Sequence, residues 1–211
     1  MSLLQQVVTA LVVLALSSTV GRAQNLPKIE EFYFDADTAA APFQVVKADG
    51  NAAVDALMKQ RSLGRKAEEA TSQLARIAVA EGRTELGMKL HQEVLAATTP
   101  SSGLGRAVRW NYAWDLFASG DVEGALAQWR GVQQASRSKP AWIPPTYALA
   151  LWTLGQQDEA IQWYAAAVRT EPDLWGRVEN LASLLPHWRA QDRDTLAQVH
   201  AAWRAAPPSW P

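Results

Sequence analysis

Few side chains in this chain of 211 residues are placed to do chemistry. Its three histidines are His91, His187 and His200. None has another histidine four residues on, so the helical zinc site of a metalloprotease is missing. Cysteine is absent, which excludes thiolate catalysis, zinc fingers, disulfides and lipidation of an N-terminal cysteine. The sequence contains neither a phosphate-binding G-x-x-x-x-G-K-[ST] loop nor a G-x-S-x-G elbow. Gly103-x-Gly105 lacks a preceding strand and a third glycine, and reads as a loop entering a helix. The acidic residues are scattered, with no pair spaced for acid–base work. Asp35-x-Asp37 offers two carboxylates, too few for a calcium loop, and reads as a solvated turn. His91 falls at a packing position and reads as structural. The expectation is a protein that is not an enzyme, with no metal site and no cofactor.

Tryptophan is the residue type that stands out. There are 10, all between Trp110 and Trp210. Trp110, Trp114 and Phe117 are spaced i, i+4, i+7 and so form one stripe of a helix. Trp142, Leu149 and Trp152 follow in the next stretch, where Leu149 and Trp152 correspond to Trp114 and Phe117. Two readings of this stripe stay open. It is core, covered by the N-terminal arm or the last helix, or it is an apolar groove able to hold a helix or an extended peptide.

The elements that must carry these residues are helical. Hydrophobic residues make up 48% and charged residues 19% of the chain, the balance of a folded globular protein. The net charge of -1 provides no field for nucleic acid or an anionic membrane. Alanine is abundant and favours helix. Asn51 is a candidate N-cap for a first helix ended by Gly64. Apolar residues at Ala70, Leu74, Ile77 and Val79 predict a second, broken by Gly82. Ahead of them, residues 24–50 read as an irregular arm, either two short strands around Phe32–Phe34 and Phe43–Val46 or an extended segment laid on the helices.

The run from Val7 to Leu16 is too short to span a bilayer and suits the core of a signal peptide, although its flank lacks Lys and Arg. Gly21-Arg22-Ala23 offers a cleavage site before Gln24. The alternative is a buried N-terminal helix. The expectation is a signal peptide over residues 1–23 and a periplasmic or secreted product. No later stretch is apolar over a membrane's width, so an integral membrane protein is not expected.

Self-similarity at a fixed period is the most specific signal. Leu116-x-x-x-Gly120-Asp121-x-Glu123-x-Ala125-x-x-x-Trp129 recurs 35 positions on as Leu151-x-x-x-Gly155-Gln156-x-Asp158-x-Ala160-x-x-x-Tyr164. A fainter copy reads Ala78-x-x-x-Gly82-Arg83-x-Glu85-x-Gly87-x-x-x-His91. Ala167-Val168-Arg169-x-x-Pro172-x-x-Trp175 returns as Ala202-Trp203-Arg204-x-x-Pro207-x-x-Trp210. The physical reading is a helical hairpin. Glycine ends the first helix, an acidic residue favours the start of the second, and a small residue marks the crossing. The aromatic four residues later plugs the gap to the neighbour, and proline stops the second helix.

These residues resemble the tetratricopeptide repeat family. Leu154-Gly155-x-x-x-Glu159-Ala160-Ile161-x-x-Tyr164-x-x-Ala167-x-x-x-x-Pro172 follows that family's pattern closely. The copy near Gly82 departs from it at Gly87 and His91, and the copy beginning near Arg106 has Pro140 three residues late. The resemblance spans roughly residues 66–207. It implies an all-α solenoid of about three hairpins over 51–211. The helices near Leu174–Leu185 and Asp192–Ala205 close its end. First helices would line a concave side, where Tyr112, Ala113, Leu116, Tyr147, Ala148 and Leu151 fill the packing positions. It also implies an adaptor that binds a protein or peptide partner in the cell envelope, with Trp110, Trp114, Phe117, Trp142, Leu149 and Trp152 as partner-binding residues. The family's clamp for terminal carboxylates is not expected, because Ala107, Pro145 and Thr146 stand where Lys, Asn or Arg would be needed. The competing reading is a glycan or peptidoglycan binder using exposed indole faces. Flat, isolated Trp residues beside amides or acids would favour sugar, and a continuous apolar groove would favour peptide.

Overall fold

The computed structural model describes residues 26–136 and 138–209. The signal-peptide expectation, its cleavage site and Trp210 lie outside the described residues. Within them the chain is helical: α1 (Gly50–Ser62), α2 (Ala67–Ala80), α3 (Thr84–Ala97), α4 (Gly103–Ala118), α5 (Val122–Ala135), α6 (Ile143–Thr153), α7 (Gln157–Thr170), α8 (Pro172–Trp175), α9 (Leu181–Leu184) and α10 (Ala190–Ala205). A 3₁₀ turn at Val178–Asn180 separates α8 from α9.

The helices pack in neighbouring pairs, α2 on α3, α4 on α5 and α6 on α7, with α1 against α2 and α10 across both α6 and α7. The repeat spacing appears directly in the corners. At each corner glycine takes a positive φ, 78° at Gly82, 93° at Gly120 and 77° at Gly155. Each corner closes with the same two bonds. The glycine amide donates to Val79, Phe117 or Trp152. The next amide, of Arg83, Asp121 or Gln156, reaches back to Ala78, Leu116 or Leu151. This is the left-handed helix terminus in which two orphan carbonyls are satisfied at once. Asp121 then caps α5 by accepting from the Gly124 amide at 2.9 Å, as an N-cap carboxylate should.

The residues at the crossings are small because there is no room. Ala125 and Ala160 are fully buried. A Cβ on Gly87 would lie 2.5 Å from Val79 Cγ2 and 2.8 Å from the Ala75 carbonyl, which explains glycine where the other two copies have alanine. The main core joins α4, α5, α6, α7 and α10, and Tyr33 of the arm enters it. A separate small cluster of Leu57, Ala70 and Leu74 ties α1 to α2.

Two local expectations are revised, and one open alternative is decided. Asp49, not Asn51, sits at the N-cap of α1, and it makes no side-chain cap bond. The arm is an extended segment rather than two strands, with one parallel bridge between Asp35 and Pro140. The helix expected near Leu174–Leu185 is broken into α8, the 3₁₀ turn and α9. Asn180 accounts for the break, since its side-chain amide donates to the carbonyls of Asp173 (3.1 Å) and Leu174 (2.9 Å). A side chain bonded to those carbonyls competes with helical continuation.

Candidate functional site

The aromatic stripe of α4 is covered from two directions. Trp110 and Phe117 are each only 7% exposed and Leu149 is completely buried, while Trp114, Trp142 and Trp152 are half-buried. The six residues therefore do not make one open surface. Leu149 belongs to the core, and Trp142 turns to the arm, its indole donating to Asp37 Oδ2 at 3.2 Å. Trp110, Trp114 and Phe117 stay together on α4.

Trp114 is the hub of that group. Its ring centroid lies 5.8 Å from Trp110, 6.0 Å from Phe117, 5.0 Å from Trp129 and 4.9 Å from Trp188, always at a steep angle of 62–76°. Edge-to-face contacts of this kind add to the stabilisation from buried area. Trp188 comes from the segment between α9 and α10. Its neighbour Arg189 lies 5.6 Å from the Phe117 centroid, a cation–π contact. Arg189 also forms a two-pronged bond with Asp192 (2.7 and 2.8 Å), which fixes the guanidinium at the start of α10.

A cleft of ≈ 440 Å³ opens between these parts. Trp110, Trp114 and Trp188 form its aromatic wall, and Pro42 of the arm and Arg76 of α2 line it as well. The polar groups on its wall mostly have internal partners. Asn111 bonds the arm, Asp192 is held by Arg189, and Asp115 lies 2.6 Å from His91 Nε2. His91 is fully buried, so the pair is a link between α3 and α4 with the Tyr112 ring 5.0 Å away. Arg76 donates to the Phe43 carbonyl and has no carboxylate within ion-pair distance among the described residues. His187 stands exposed at the rim.

Asp35 and Asp37 are engaged in holding the arm. Asp35 exchanges main-chain bonds with Lys139 (3.2 Å) and Ala141 (3.1 Å), and its carboxylate accepts from the Lys139 amide. Asp37 accepts from the Ala39 amide at 3.1 Å in a turn stabilised by its own side chain. No group of three or more metal-ligating side chains occurs among the described residues, and no described helix is long and apolar enough to cross a membrane.

Sequence reasoning missed Trp188, Arg189 and Pro42 because none belongs to the repeat register. The one available signal for Trp188 was its residue type beside a helix-breaking proline at 186. Asp115 was detectable in principle, since a histidine at a register otherwise held by Trp129 and Tyr164 needs a buried partner. Comparison with protein-family models, with curated proteins and with solved structures finds no match.

Proposed function

We propose that this chain is an exported adaptor of the tetratricopeptide repeat type, and that its Trp-lined cleft receives an apolar side chain from a protein or peptide partner in the cell envelope. The observation that carries this reading is the wall of Trp110, Trp114 and Trp188 on a cleft of ≈ 440 Å³, a volume suited to one or two anchor side chains. Aromatic walls of this kind supply most of the affinity at protein interfaces. The tetratricopeptide assignment is supported by the 35-residue period and by the three corners of identical bonding. Export is supported by the apolar run ending at Leu16 and by the small residues before Gln24.

The competing glycan reading is less well supported. A sugar platform needs a free indole face, and Trp114 is surrounded by four rings. It also needs free amides or acids, whereas Asn111, Asp115 and Asp192 are engaged internally. Panning a random peptide library on the mature chain, beside a glycan array, separates the two. Selected peptides should share an aromatic or aliphatic anchor and lose binding to a Trp188→Ala variant. Glycan signals with no peptide enrichment would overturn the reading.

A further inference from the structure

The arm crosses α2 and α4 as an extended chain held by its main chain. Gln73 Oε1 accepts the amides of Val45 (2.7 Å) and Val46 (3.1 Å), and its Nε2 donates to the Val46 carbonyl (2.7 Å). Asn111 Oδ1 accepts the Phe43 amide (3.2 Å), and its Nδ2 donates to the Ala41 carbonyl (2.9 Å). Arg76 donates to the Phe43 carbonyl at 3.2 Å. A carboxamide carries one acceptor and one donor group, which match the amide and carbonyl of a peptide irrespective of its sequence.

The side chains of the held segment are at most partly buried, with Val45 and Val46 resting on the small cluster of Leu57, Ala70 and Leu74. From residue 40 to residue 52 no position is buried, while Ala39 and Ala53 on either side are. The segment is therefore pinned at both ends, and lifting residues 41–46 uncovers the small α1–α2 cluster beneath Val45 and Val46 while Ala39 and Ala53 stay buried. Beneath it, Gln73 is 5% exposed and Asn111 is 7% exposed. If the arm lifts, Gln73 loses its three bonds to Val45 and Val46 and Asn111 keeps only its bond to the Ala107 carbonyl (2.9 Å), so both carboxamides must turn to water or another peptide.

We propose that Gln73, Arg76 and Asn111 form a track for an extended polypeptide, that residues 41–46 occupy it at rest, and that an extended segment of the partner binds by displacing them. Pro42 forms part of the cleft wall, so displacement also uncovers the Trp-lined cleft. This proposal rests on the reading of the cleft as a protein-binding site, and it specifies that the partner's main chain is what the track recognises. The arm then lowers apparent affinity by the fraction of molecules in which it is lifted.

The test uses the whole mature chain and a labelled peptide copying residues 40–48. Val45→Pro together with Val46→Pro removes the amides that Gln73 accepts and leaves the track unchanged. By fluorescence anisotropy, the peptide should bind this variant about tenfold or more tighter than the native chain. Adding Gln73→Ala should abolish that binding, and a peptide N-methylated at the two valines should not bind. Equal binding to native and proline chains, or binding that survives Gln73→Ala, overturns the proposal. Hydrogen exchange on the native chain is the second arm and needs no variant. The amides of Phe43, Val45 and Val46 should exchange about a hundredfold faster than those in the middle of α4, and equal protection overturns the proposal. Neither measurement uses the natural partner. A cleft that takes only glycans, beside a track that binds the peptide, would defeat the proposed function while showing that the arm is displaceable, so the two failures are distinguishable.

Discussion

His91 Nε2 lies 2.6 Å from Asp115 Oδ2 with both side chains out of solvent, and this contact fastens α3 to α4 at the floor of the Trp-lined cleft. Removing the imidazole leaves a carboxylate in the interior without its partner. His91→Ala should therefore cost about 1–3 kcal/mol for the unsatisfied buried group. Urea unfolding measures it. A loss under half of that would mean water already satisfies Asp115.

Ala160 is fully buried where α6 and α7 cross. Ala160→Leu should lower stability by about 1–3 kcal/mol through overpacking. An unchanged melting midpoint would contradict the tight crossing.

Trp114 packs on four aromatic rings, so it is part of the core as well as of the cleft wall. Trp114→Ala should cost about 3–5 kcal/mol of folding stability. Trp188 lies outside the paired helices and is half-buried. Trp188→Ala should cost clearly less stability, measured by the same thermal unfolding. Equal losses would mean that Trp188 is as integral to the fold as Trp114.

Alkaline pH provides a separate check. Burial raises the phenols of Tyr33, Tyr147 and Tyr164 above their ordinary value of 10.0. Tyr147 donates to Gln133 and Tyr164 to the Trp175 carbonyl, both at 2.7 Å. A folded-state value above the unfolded one means that the stabilisation is fully present below pH 10 and is lost as pH rises toward the folded values. Urea midpoints should therefore be flat up to about pH 10 and fall above it. A folded chain whose absorbance at the phenolate band titrates like free tyrosine would contradict the burial.

The paired helices were legible because their determinants are local. Gly120 and Gly155 mark helix ends, and Ala125 and Ala160 mark crossings, by residue type at fixed spacing. The site was legible only in part. Spacing put Trp110, Trp114 and Phe117 on one face of α4, but no periodicity says what lies over that face. The covers, Pro42 and Trp188, come from irregular segments at opposite ends of the chain, 146 positions apart by their numbers. Their placement depends on long-range bonds, such as Asn111 to Ala41, that no local pattern encodes. The break at Asn180 was missed for a related reason, because apolar spacing does not report a side chain that reaches back to the carbonyls of the preceding helix.

Under the proposed function, a partner's side chain enters between Trp110, Trp114 and Trp188. The most direct test of this is an NMR titration of the indole Nε1–H signals of the chain with a peptide selected by panning. The Trp188 and Trp110 signals should shift with a single saturating dependence on peptide, while that of Trp129, fully buried behind Trp114, should move least. Shifts confined to other tryptophans, with Trp188 and Trp110 unchanged at saturation, would contradict it.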